Sequence, residues 1–141
     1  MTMAIVLNNK VGVKIATVDV SDMVTAATLN YVFDEIEVTA MGDLSHKFVK
    51  GLQSGTLTLS FMNDVASNDI LDTLLTNSGS TVAVKLIQDS SAVVSDANKL
   101  YTFDILVNNL TPINGTPADI SSQDVTFTLN SVVTVADTGT W

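Results

Sequence analysis

Cysteine and arginine are absent from this 141-residue chain, which also has one histidine, one tryptophan and two prolines. Without cysteine it can build neither a disulfide framework nor a thiolate metal site, which suits synthesis in a reducing cytoplasm. With His46 as the only histidine, no zinc set of nitrogen and sulfur ligands can be assembled. The missing arginine matters because the guanidinium group is the favoured bidentate partner of phosphate. Lys10, Lys14, Lys47, Lys50, Lys85 and Lys99 stand singly or in pairs against fifteen acidic residues, for a formal net charge of −9. Proteins that grip DNA need clustered cations, so this balance argues against one. No apolar run comes near the ~20 residues that cross a bilayer. The opening residues 1–10 lack the basic start and long apolar centre of a secretory signal, so no membrane anchor is expected.

What remains is apolar and weakly charged. Hydrophobic residues make up 46% and charged residues 15%, which excludes disorder. The length suits a single domain, 1–141. Threonine, valine, serine, leucine and asparagine dominate, a composition expected of a mainly β domain whose surfaces are covered by partners.

Alternation with period two is the main pattern. Val11, Val13 and Ile15 alternate with Gly12, Lys14 and Ala16, and the pattern resumes at Val18 and Val20. Residues 28–39 place Ile36 and Val38 on one face and Glu35, Glu37 and Thr39 on the other. In 55–61, Leu57, Leu59 and Phe61 oppose Thr56, Thr58 and Ser60. Further strands are expected over 81–87, 100–107, 125–129 and 132–135. Residues 88–98 form a polar connection, and Pro112, Asn114, Gly115 and Pro117 mark a turn region.

One helix is expected over 64–76, with Ile70, Leu71, Leu74 and Leu75 as its apolar stripe packed over a sheet. Asp64 or Ser67 can cap it, Asp69 suits its first turn, and residues 77–79 end it. Residues 41–54 read as a long loop between two strands, and long loops are usually functional. Its Leu44, Phe48, Val49 and Leu52 need cover from the domain itself or from a neighbour.

Chemistry is hard to place. His46 would need a nucleophile and an orienting carboxylate, and Ser45 is not positioned as one. No glycine-rich phosphate loop precedes the helix. Asp34, Glu35 and Glu37, or Asp19 and Asp22, are candidate calcium ligands, but strand alternation separates Asp34 from the other two and no glycine-turned loop gathers their oxygens. A glycosidase would need aromatic walls beside paired carboxylates, and the lone tryptophan is Trp141. The expectation is therefore no catalytic residue, no cofactor and no metal.

Two segments carry a family resemblance. Asp34-Glu35-Ile36-Glu37-Val38-Thr39-Ala40-Met41-Gly42-Asp43, followed by Gly51-Leu52-Gln53-Ser54-Gly55 opening the next strand, resembles the tail tube proteins of long-tailed bacteriophages. The helix position and the closing stretch Gly115-Thr116-Pro117-Ala118-Asp119-Ile120 are similar as well, although Ala118 stands where the family pattern has glycine. The resemblance covers roughly residues 18–135 and rests on the order and spacing of short motifs. It implies a β-sandwich, barrel-forming tail tube fold with one flanking helix. It further implies a structural virion protein of a non-contractile tail, stacked as hexameric rings into a conduit for DNA ejection and assembled in the host cytoplasm.

Its partners would be copies of itself and other tail proteins such as the tape measure and tail terminator, with DNA passing through without specific binding. Leu44, Phe48, Val49 and Leu52 become candidates for contact between subunits. Glu35 and Glu37, with Thr56, Thr58 and Ser60, become candidates for the lumen; the alternative leaves the two glutamates on the outer wall. Rival readings are a capsid decoration protein, the tube subunit of a contractile injection system, and a carbohydrate- or ligand-binding sandwich acting alone.

Overall fold

The computed structural model describes residues 10–64, 66–67 and 69–141, so the reading of the opening segment lies, Lys10 apart, outside the described residues. These residues form eight strands and one helix: β1 (Gly12–Ile15), β2 (Val18–Asp19), β3 (Val24–Glu37), β4 (Phe48–Met62), α1 (Ile70–Thr76), β5 (Thr81–Ile87), β6 (Leu100–Leu106), β7 (Ser122–Leu129) and β8 (Thr134–Ala136). The described residues are mainly β with one short helix, in keeping with the alternation and the leucine stripe of the sequence.

Every described pairing between strands is antiparallel, in the order β2-β1-β5-β6-β7-β4-β3, with β8 also on β6. The N-terminal strands are thus shared out, because β1 pairs with β5 beyond the helix while β3 pairs with β4, and β4 with β7. The β6–β7 ladder is only two pairs long, Ile105 with Leu129 and Leu106 with Thr128. Beyond it, β8 takes over the same edge of β6, pairing Leu100, Tyr101 and Thr102 with Ala136, Val135 and Thr134. The short ladder is a corner at which two halves of one sheet fold toward each other.

One core lies between the halves. Val13 and Ile15, near one end of the sheet path, belong to the same buried cluster as Leu57, Leu59, Phe61, Phe103, Ile105, Val125 and Phe127. Ala27, Leu29 and Tyr31 of β3, at the other end, pack against it. Each fully buried large side chain of this set contributes about 1.5–3 kcal/mol over leaving it in water. Where the two ends of the path approach, a groove of about 290 Å³ remains, lined by Val11, Ala27, Leu29, Tyr31, Leu86 and Tyr101.

The helix is shorter than its apolar pattern suggests. Asp69, rather than Asp64 or Ser67, is the N-cap, and its carboxylate accepts from the Ile70 N–H. Asp64 instead closes a local turn onto the Ala66 N–H. Val65 and Asn68, which the expected helix included, lie outside the described residues. Ile70, Leu71 and Leu74 are buried, but Leu75 faces water because the stripe on this single short helix covers the core with only three of its four apolar positions. The last strand also shifts: Val133 is buried, whereas Val132 and Val135 are exposed and β8 begins at Thr134.

Buried amides fix the connections. Gln123 donates to Asn63 Oδ1 at 2.6 Å and accepts from the Thr111 N–H at 2.7 Å, tying two loops to the start of β7. Asn98 donates to the carbonyls of Asp89 and Val93 and accepts from the Asp89 N–H, which organises the polar 88–98 connection. These bonds remove the penalty that unpartnered buried amides would carry.

Candidate functional site

The expected loop at 41–54 is mostly strand. β4 starts at Phe48 and pairs with β3 from Glu37 onward, so Phe48, Val49 and Leu52 sit on a strand and only 38–47 turn the chain. The alternation was hidden there because Gly51 interrupts it. β7 borders β4 only from Thr56 to Met62, and β3 ends the sheet path. Residues 31–37 and 48–55 therefore form a two-stranded arm that extends past the rest of the sheet.

A bulge sets what each face of the arm presents. Between the pairs Phe33–Gln53 and Glu35–Lys50, β4 spends one more residue than β3. Gly51 occupies this stretch, where an added β-carbon would lie 3.0 Å from Asp34 Cβ and 3.2 Å from the Asp34 carbonyl oxygen. With alternation continuing on each strand, one face carries Tyr31, Phe33, Glu35, Glu37, Phe48 and Lys50. The Lys50 ammonium stands 4.8 Å from the centre of the Phe33 ring, and Phe33 meets Tyr31 edge to face at 6.4 Å. The opposite face carries Val32, Ile36, Val49 and Leu52 around Asp34. It is the more aliphatic face.

The arm concentrates uncovered apolar surface. Of the fifteen large hydrophobic side chains exposed among the described residues, nine lie between Val32 and Leu52. Met41 and Leu44 at the tip are fully exposed, and Leu52 is 81% exposed. A two-stranded ribbon is marginal by itself in water, so local bonds must hold this one. Val38 N–H donates to the Lys47 carbonyl at 2.8 Å, Lys47 N–H to Thr39 Oγ1 at 3.0 Å, and Ala40 N–H to Asp43 Oδ2 at 2.7 Å. The Lys47 ammonium, 2.7 Å from Asp43 Oδ1, holds the Asp43 carboxyl below its ordinary pKa, and the Ala40 N–H adds to the effect.

His46 Nδ1 contacts Glu37 Oε2, and Thr39 donates its hydroxyl to the same oxygen at 2.9 Å. The carboxylate therefore stands between hydroxyl and imidazole, an order that differs from the hydroxyl–imidazole–carboxylate arrangement of a catalytic triad. Asp19 serves a turn, accepting from the Ser21 N–H and hydroxyl. No group of three or more His, Cys, Asp or Glu side chains converges to hold a metal ion among the described residues.

A second surface lies on the outward face of the sheet. Register places Thr28, Thr58 and Thr126 in one row across β3, β4 and β7, and Asn30, Thr56 and Thr128 in the next. Ser60 sits between Ala26 and Asp124. The Thr58 and Thr126 hydroxyl oxygens are 3.2 Å apart. This array of hydroxyls has no lysine in it. Thr126 and Thr128 are additions to the expected residues, legible in the alternation of Val125, Phe127 and Leu129 once β7 is known to border β4. The structure separates the two sets of lumen candidates, because Glu35 and Glu37 lie on the face opposite Thr56, Thr58 and Ser60 and cannot line one surface with them.

Fold and surfaces together define a mainly β chain whose most exposed apolar feature is a β arm beside a field of hydroxyls. No helix among the described residues is long and apolar enough to cross a membrane. No protein-family model matches the chain, and no curated protein matches it.

Proposed function

We propose that this chain is a structural virion subunit that assembles with copies of itself into stacked, hexameric rings, forming a non-contractile phage tail tube through which DNA leaves the capsid. The observation that carries this reading is the arm, with Val32, Ile36, Phe48, Val49, Leu52, Met41 and Leu44 all exposed on a preformed ribbon. Exposed apolar patches of this kind mark contact surfaces. The outer edge of β3, fourteen residues long and without a described partner, adds a second unfilled demand that ring closure meets. The hydroxyl face of β4 and β7 and the net charge of −9 suit a bore past which DNA slides without adhering. Tape measure and tail terminator proteins are the further partners of such a tube, and the virion tail is its location.

Electron microscopy of the concentrated purified protein tests the reading. Tubes or stacked rings are expected. Monomers at all concentrations, or only decoration of an added capsid lattice, would overturn it. Isolated short rings that dock on a contractile sheath would favour the tube of an injection machine.

A further inference from the structure

We propose that Asn114 is a site of spontaneous deamidation, an enzyme-independent modification that adds a carboxylate to the loop between β6 and β7 and unties its middle. In this reaction the main-chain nitrogen of the following residue attacks the side-chain carbonyl carbon, so the pair Asn114-Gly115 is the favourable one. Glycine has no side chain to shield its nitrogen and leaves the backbone free to swing into the attack geometry. Residues 111–120 are all exposed, and no regular structure constrains 107–116. Nothing lies within 4 Å of the place a Gly115 β-carbon would occupy, so there is room for the ring to close.

The chemistry balances with water alone. The Gly115 nitrogen gives up its proton and bonds to Asn114 Cγ; the Cγ–Nδ2 bond breaks and ammonia leaves, producing a five-membered imide. Water then opens either imide carbonyl, giving aspartate or its backbone-shifted isomer. Other asparagines lack this combination. Asn98 is buried and donates to two main-chain carbonyls at 3.0 and 3.1 Å. Asn130 is exposed but precedes Ser131, whose side chain shields the main-chain nitrogen that would attack.

The consequence follows from one bond. Asn114 Nδ2 donates to the Ser122 carbonyl at 2.7 Å, and this fastens the middle of the loop to the start of β7. A carboxylate has no proton to donate there and sets acceptor against acceptor. The bonds from Asn109 Nδ2 to the Thr126 carbonyl and from Thr111 N–H to Gln123 Oε1 remain. Strand β7 and the core are untouched while residues 112–118 come loose, and the chain gains one negative charge.

Incubation of the full chain at mildly alkaline pH, followed by peptide mapping in a mass spectrometer, tests the site. The mass gain of amide-to-acid conversion is expected at Asn114 ahead of Asn130, with both isomers of the product. Gly115 is not in the left-handed region and has open space, so Gly115→Ala is expected to unfold at the wild-type temperature yet deamidate more slowly. Asn114→Asp is expected to hasten proteolytic cleavage within 112–118. Conversion at Asn130 as fast as at Asn114, or a wild-type rate in Gly115→Ala, overturns the site. Unchanged cleavage in Asn114→Asp overturns the untying.

Discussion

Gly55 lies directly opposite Tyr31, and a β-carbon at Gly55 would come within 2.8 Å of Tyr31 Cα and closer still to the Asn30 carbonyl oxygen. The missing side chain lets β3 and β4 stay paired where the arm leaves the body of the sheet. Gly55→Ala forces backbone apart at this point, and we expect a loss of about 1–3 kcal/mol, the usual range for overpacking. Chemical denaturation against wild type measures it, and a neutral result would mean that the strands can part there without cost.

The β1–β2 hairpin turns through Ala16 and Thr17, with Ile15 paired to Val18 and both turn residues at positive φ, 50° and 70°. This two-residue geometry favours Asn-Gly, and a β-branched threonine is a poor occupant of the left-handed region. Replacing Ala16 with Asn and Thr17 with Gly is expected to stabilise the protein by about 1 kcal/mol, from the ~1–2 kcal/mol cost of a left-handed residue less the extra entropy of glycine in the unfolded chain. A raised midpoint of thermal unfolding would show this.

Phe48 and Leu52 are exposed on the arm, on its opposite faces. Replacing both with Ser is expected to leave unfolding stability within about 0.5 kcal/mol of wild type, as for other surface changes, while assembly into tubes is lost. Sedimentation of the variant at concentrations where the wild type polymerises separates the two effects. Full polymerisation would remove the arm from the subunit contact.

Lysine substitutions decide which face meets DNA. Thr58→Lys with Thr126→Lys adds two adjacent cations to the hydroxyl rows, whereas Glu35→Lys with Glu37→Lys changes the opposite face of the hairpin. If the hydroxyls line the bore, only the first pair is expected to make assembled tubes retain short duplex DNA, and raising the salt should release it. Retention by the second pair alone would assign the bore to the glutamate face.

Acid should loosen the tip of the arm. Folding lowers the Asp43 pKa because Lys47 and the Ala40 N–H favour the charged carboxylate. That contribution is complete above the carboxyl's unfolded pKa and disappears as pH falls through the lower folded value. Amide-proton titration at Ala40 is expected to follow Asp43 and to be flat in Asp43→Asn. A flat profile in the wild type would contradict the assignment.

Much of the fold was legible because period two is a local signal. Leu57, Leu59 and Phe61 alternate with Thr56, Thr58 and Ser60 in the chain, and they are buried and outward-facing in the structure. The same holds for Val125, Phe127 and Leu129, all buried. The left-handed φ of 71° at Ala118, by contrast, has no mark in the local alternation. Gly51 breaks the alternation at a bulge, which made strand look like loop, and a cap is settled by which carboxylate reaches an N–H, so Asp69 displaced Asp64.

By itself, then, the sequence determined a cysteine-free, acidic, mainly β chain, its buried faces and the helix that carries Ile70, Leu71 and Leu74, because side-chain periodicity and composition act over a few neighbouring residues. Only the tertiary structure decided that β1 lies beside β5 and β7 beside β4, that Thr58 and Thr126 share one row, and that Glu35 and Glu37 lie behind that row. Strand partners are set by long-range closure around a common core, in which residues far apart in the chain exchange hydrogen bonds, and no local pattern encodes which two alternating segments will meet.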